Sequence, residues 1–129
     1  MGRFYTKLRI ELIGENGRPR WRLVESLEYF SYAIEALIEV PQGFETDLAS
    51  VPRIPLAWLI AGGKANAAAV VHDWLYHGNP MHITRKQADD VFYEAMTDSG
   101  ISWWRRNLMY IAVRLFAGPL WEEGSSEPT

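Results

Sequence analysis

Two hydrophobic periods divide the chain, and the change between them falls near residue 43. From Phe4 to Ile13 apolar and polar residues alternate, with Leu8, Ile10 and Leu12 on one side and Lys7, Arg9 and Glu11 on the other. That period of two predicts a half-buried strand. Glu15, Asn16, Gly17 and Arg18 supply an Asn-Gly hairpin turn. A second strand runs through Trp21 and Leu23, and a third covers part of residues 29–40, where aromatic and β-branched side chains favour extended backbone. Pro41, Gln42 and Gly43 close this region, which reads as an antiparallel meander of three or four strands.

Beyond the turn the spacing becomes helical. A short helix is expected over residues 55–61 and a second over 65–76. Thr84 caps a third helix from Arg85 to about Thr97, ended by Asp98, Ser99 and Gly100, and Ser102 caps a fourth over 103–116, stopped by Gly118 and Pro119. Ala88, Phe92, Ala95 and Met96 form the apolar stripe of the third helix. Leu108, Ile111, Ala112 and Leu115 have the period of a stripe packing on the protein's own core. The fold class is therefore α+β: a β meander followed by a bundle of three or four helices, in one domain over 1–121, with 122–129 a disordered polar tail.

Composition narrows the function classes. At 129 residues and 48% hydrophobic content the chain suits a single core without staples. It contains no cysteine, which excludes thiolate catalysis, cysteine zinc sites and disulfides. A net charge of -3 and a pI near 5.6 argue against nucleic acid as a partner. No run approaches the ~20 apolar residues of a membrane span, and the N-terminus MGRFYTKLRI lacks the apolar stretch of a secretory leader.

Three segments carry more polar chemistry than architecture requires. In GFETDLASVPR, residues 43–53, Thr46, Asp47 and Ser50 are short oxygen-bearing side chains that either cap the next helix or ligate a hard cation. In AAAVVHDWLY, residues 67–76, His72 and Asp73 interrupt an apolar helix. Ala68, His72 and Tyr76 share one face, and Ala69, Asp73 and His77 form the adjoining row. In ITRKQADDVFYEAM, residues 83–96, Asp89 and its neighbour Asp90 follow Arg85. Asp89 is either an exposed partner of Arg85, four residues before it, or turns toward the preceding helix. If the two helices pack antiparallel through HGNPMH, Asp89 reaches His72. A carboxylate on one imidazole nitrogen fixes the tautomer and leaves the other nitrogen as a general base.

The order HD-x-x-Y, an Asn-Pro turn and AD-x-x-F resembles the core of small calcium-dependent phospholipases of the A-two class, above all the domain in parvovirus capsid proteins. That resemblance, over residues 65–96, implies His72 as general base, Asp89 as its orienting carboxylate, Asp73 as a calcium ligand and Tyr76 as a supporting hydroxyl. No Tyr-x-Gly or Leu-Gly-Pro-Gly segment precedes His72, so only AGGK at 61–64 or the TDLAS loop is placed to supply calcium-binding carbonyls. Over 40–96, the blocks VP-x-GF-x-TDLASVPR, HDWLY and R-x-x-AD-x-x-F are similar to an uncharacterised family of small tailed-phage and prophage proteins. This likeness implies a phage origin, a location in the host cytoplasm or virion, and a shared site formed by Asp47, His72, Asp73 and Asp89.

Three functions follow as expectations. One is a hydrolase of an ester or phosphoester, for which the phospholipase likeness implies a lipid at a membrane surface, assisted by a divalent cation held by Asp73 and Asp47, with calcium the first choice. The others are a phage structural or assembly protein and a small inhibitor of a host protein. In the last helix, Trp103, Trp104, Arg105 and Arg106 bring aromatic and basic residues together, a pairing suited to an anionic membrane surface.

Overall fold

The computed structural model describes residues 2–14, 20–47 and 65–122. The expected Asn-Gly turn, the helix at 55–61, Ser50 and residues 123–129 lie outside these. The architecture is α+β: two small antiparallel sheets followed by three helices among the described residues. Each sheet has three strands, so the single meander becomes two units. One contains β1 (Arg3–Phe4), β4 (Leu27–Ser31) and β5 (Ala36–Val40) in the order β1-β4-β5, and the other contains β2 (Ile10–Gly14), β3 (Arg20–Leu23) and β6 (Glu45–Thr46) in the order β2-β3-β6.

Two expected strands are each divided. The alternation of exposure continues from Phe4 to Ile10, but Leu12 is exposed, beside a register irregularity between Leu12 and Gly14. Because Phe4 pairs with Tyr29 while Ile10 pairs with Leu23, one alternating stretch serves both sheets. The region 29–40 folds back on itself, with Ser31 opposite Ala36 and Glu35 at φ 52° in the turn between them. A distant side chain fastens that turn. Glu94 accepts hydrogen bonds from Ser31 Oγ at 2.6 Å and from the Tyr32 amide at 3.0 Å.

The helices are α1 (Asn66–Tyr76), α2 (Arg85–Asp98) and α3 (Trp103–Phe116). Thr84 begins α2 with a reciprocal cap: its Oγ1 accepts from the Gln87 amide at 3.1 Å, and its own amide donates to Gln87 Oε1 at 2.9 Å. Gly100 ends that helix at φ 81°, while the Ile101 amide reaches Met96 O at 3.0 Å and the Gly100 amide reaches Thr97 O at 3.1 Å. Ser102 occupies the N-cap of α3, but its side chain makes no capping hydrogen bond.

Helix α1 is the centre of the molecule. It packs on α2 and touches β4, β5 and β6, burying Ala68, Ala69, Val70, Val71, Leu75 and Tyr76. Its alanines keep the helix thin enough for neighbours on several sides. Leu23, Leu27, Tyr29, Ile38 and Val40 complete the core from the sheets, and Val91, Phe92, Met96, Met109 and Val113 complete it from the other helices.

The phase of α3 departs from the sequence expectation. Met109, Ala112 and Val113 face inward, whereas Leu108, Ile111 and Leu115 are exposed. Polar anchors set this rotation: Arg114 Nη1 donates to Asp89 Oδ2 at 2.7 Å, and Tyr110 Oη donates to Asp90 Oδ1 at 2.7 Å. With Arg114 and Tyr110 turned toward α2, the Leu108–Ile111–Leu115 edge is carried to the far side. No helix among the described residues is long and apolar enough to cross a membrane.

Candidate functional site

His72 on α1 and Asp89 on α2 meet in the interior. His72 Nε2 lies 2.8 Å from Asp89 Oδ1, and both side chains are fully buried. The positive φ values of Gly78 (79°), Asn79 (49°) and His82 (55°) fold the intervening turn sharply enough to lay α2 beside α1. Asn79 Oδ1 also accepts from the Ile83 amide at 3.0 Å, which stabilises the turn through a local side-chain bond. The imidazole is held between two rings, Tyr76 at 4.3 Å and Phe92 at 4.5 Å between centroids.

Asp89 has further partners. Tyr76 Oη donates to its Oδ1 at 2.6 Å, and Arg114 Nη1 from α3 donates to its Oδ2 at 2.7 Å. Burial alone raises the Asp89 pKa, but the hydrogen bond and charge of His72, with the hydrogen bonds of Tyr76 and Arg114, outweigh it and hold the carboxyl below its usual range. Burial, reinforced by the bond to Asp89, pushes the Tyr76 phenol up. A carboxylate bonded to Nε2 favours the arrangement in which that nitrogen carries a proton.

Arg85 is not a simple exposed partner of Asp89. Its Nη1 stands 3.7 Å from Asp89 Oδ2, but it donates to Tyr76 Oη at 3.3 Å and to Val113 O at 3.2 Å, while Nη2 donates to Arg114 O at 3.3 Å. It thus ties α2 to carbonyls at the end of α3. Asp90 stands apart from this network, accepting from Lys86 Nζ at 3.0 Å and from Tyr110.

A cavity of about 380 Å³ adjoins the network. Thr46, Asp47 and Asp73 line one part of it, Tyr76 and His77 continue the wall from α1, and Leu120 and Glu122 close it from the C-terminal segment. Arg20 and Glu45, paired with each other, complete the lining. Thr46 Oγ1 donates to Asp73 Oδ2, so the TDLAS and HD segments do come together. Glu122, expected in the polar tail, is held by its amide to Tyr76 O at 3.0 Å, and Trp121 sets its ring edge on Tyr76 at 5.1 Å between centroids.

The nominated residues therefore form two groups joined by Tyr76: His72, Tyr76, Asp89 and Arg85 in the buried network, and Thr46, Asp47, Asp73 and Tyr76 around the cavity. Asp47, Asp73 and the Thr46 hydroxyl are the oxygen donors that could take a hard cation. Among the described residues no group of three or more His, Asp or Glu side chains is arranged to hold a metal. Sequence reasoning missed Arg114, His77 and Glu122. Arg114 carried one signal, a lone charge in the otherwise apolar IAVRLF.

Fold and site together define an α+β protein with a buried His-Asp-Tyr-Arg network beside an acid-lined cavity. The chain belongs to a family of proteins of unknown function (DUF1353), whose model matches residues 21–113. That span contains His72, Tyr76 and Asp89 and ends one residue short of Arg114. Comparison with curated proteins and with solved structures finds no match.

Proposed function

We propose that this protein is a hydrolase of ester or phosphoester bonds in which His72 is the general base. The observation that carries this reading is the 2.8 Å approach of His72 Nε2 to an Asp89 carboxylate that Tyr76 and Arg114 already hold in place. With Nε2–H committed to Asp89, Nδ1 takes a proton from water and the hydroxide attacks the carbonyl carbon or phosphorus. Asp89 stabilises the resulting imidazolium, which returns the proton to the leaving oxygen. Asp73 and Asp47, with the Thr46 hydroxyl, offer oxygen donors to a divalent cation, calcium first; bound there, it would polarise the oxygen of the scissile group. The phospholipase-like order of residues around His72 and Asp89 favours a lipid ester. The likeness of the three sequence blocks to tailed-phage proteins favours a phage or prophage setting.

A second reading has its own observation: neither His72 nor Asp89 is exposed to solvent. On that reading the network is a polar core that specifies the helix packing of a non-catalytic structural or assembly protein. Tyr76 and Asp73, on the same helix as His72, line the cavity, so substrate reaches the imidazole only if this wall moves.

The two readings separate in one experiment. Wild type and His72→Gln, which retains a donor toward Asp89, are assayed on phospholipid vesicles and on small chromogenic esters and phosphodiesters, with calcium or with chelator. A hydrolase loses at least about 100-fold of its rate in the variant while folding is retained, consistent with loss of a general base. No turnover by folded wild type on any of these substrates overturns the catalytic reading and leaves the structural one.

A further inference from the structure

The segment that follows α3 turns back onto the site. Phe116 ends the helix, and a single 3-10 turn, Gly118–Leu120, reverses the chain, with the Leu120 amide on Ala117 O at 2.9 Å and the Trp121 amide on Gly118 O at 3.1 Å. Pro119, which has no amide to donate, keeps α3 from continuing. Residues 121 and 122 then cross the last turn of α1. The Glu122 amide donates to Tyr76 O at 3.0 Å, the Trp121 ring meets the Tyr76 ring edge-on, and Glu122 Oε1 stands 3.6 Å from His77 Nδ1. These attachments fall on the two residues that close α1, where carbonyls have no partner within their own helix.

We propose that residues 118–122 are a lid over the cavity, which lifts as one piece from the end of α1 while its root at Ala117 stays in place. The root is locked. Ala117 is buried with its amide on Val113 O at 3.1 Å, and Arg85, which donates to the carbonyls of Val113 and Arg114, lies beside Gly118. The far end is held at the surface. His77 and Glu122 are 68% and 58% exposed, and Leu120 is 42% exposed. An exposed ion pair holds little, and water can replace both it and the bond from the Glu122 amide as the tip departs. The Trp121 ring, packed against the core, is the latch. A segment with a fixed root and a tip held at the surface can open locally while the rest of the fold stays closed.

What the lid covers gives the opening a use. The rings of Trp121, Tyr76, His72 and Phe92 follow one another at 5.1, 4.3 and 4.5 Å between centroids, and with Trp121 in place Tyr76 is 1% exposed. Leu120 and Glu122 also line the cavity that Asp73 and Tyr76 line from α1. Lifting the lid therefore widens the cavity and uncovers Tyr76, the residue shared by the cavity and the His72 network. It does so without moving α1, α2 or the body of α3, so the bonds to Asp89 survive. As a control on access to His72 the lid rests on the hydrolase reading, but the opening itself does not.

Hydroxyl-radical footprinting of the full chain, read by peptide mass spectrometry, tests the opening without any substrate. Glu122→Pro removes the amide that reaches Tyr76 and leaves every ring in place. In this variant labelling of Tyr76 is expected to rise at least about 10-fold, and that of Trp121 with it, while Tyr29, buried and bonded to Asp98, is labelled as in wild type. No rise at Tyr76 overturns the lid, because the tip then does not lift as one piece. A rise at Tyr76 and Tyr29 together also overturns it, because the whole fold has then loosened. Tyr76 uncovered alone, in a protein that cleaves none of the esters or phosphodiesters above, supports the lid and overturns only the hydrolase reading.

Discussion

Asp89 accepts hydrogen bonds or charge from His72 and Tyr76 on α1 and from Arg114 on α3, and of these His72 and Tyr76 are buried and cannot reach water in exchange without the core opening. Removing the carboxylate orphans these two. Asp89→Ala is therefore expected to cost about 3–5 kcal/mol in urea unfolding, the range for breaking a buried ionic group by removing one partner. A loss under about 1 kcal/mol would show that the network contributes little to stability. The His72–Asp89 pairing was legible in the sequence because two helices joined by a short turn must lie side by side, which places an acid near the start of the second helix beside a histidine near the end of the first. Arg114 was not legible. It lies 25 positions from Asp89, while Arg85 at four positions offered a local partner that turned out to bind mainly Tyr76 and carbonyls of α3.

At the scale of elements, the helix boundaries followed closely from capping residues, and the same local chemistry yields a prediction. Gly100 adopts φ 81° with nothing within 4 Å of where a Cβ would sit, so Gly100→Ala meets only backbone strain. It is expected to lower stability by about 1–2 kcal/mol in thermal or denaturant unfolding; no loss would show that the turn relaxes to another conformation. Strand boundaries were less legible because alternation reports which side chains are buried but not which sheet buries them. Phe4 and Ile10 share one alternating run and belong to different sheets. The α3 stripe failed for a related reason. Leu108, Ile111 and Leu115 have the period of a packed face, but Arg114 and Tyr110 orient the helix through bonds that periodicity cannot register.

Across the whole molecule, the buried ionisable groups set both ends of the pH range. Asp89 has a folded-state pKa below its usual value, so its contribution is full above the ordinary carboxylate range near 4 and is lost as pH falls through the depressed value. Asp98, raised by burial although Tyr29 Oη donates to it at 2.6 Å, works in the opposite direction. Asp89→Asn should therefore flatten the acid limb specifically. Tyr29 and Tyr76 are raised, first by burial and then by their carboxylate partners. Their contribution is present below the ordinary phenol value near 10 and is lost as pH rises beyond it. Denaturant midpoints measured from pH 2 to 12 are expected to fall at both ends, with the alkaline fall reduced in Tyr76→Phe. A profile unchanged by either substitution would contradict these assignments.

The convergence of three helices on one carboxylate also has a mechanical consequence. Sliding any of them by a turn, about 5.4 Å, would tear its donor from Asp89, so shear along the bundle is forbidden while small rotations about that point are not. Asp89 is in this sense a pivot. Motion that brings solvent to His72 while these bonds hold then falls to the other parts of the cavity lining, above all the returning strap at Trp121 and Glu122, hinging about a fixed centre.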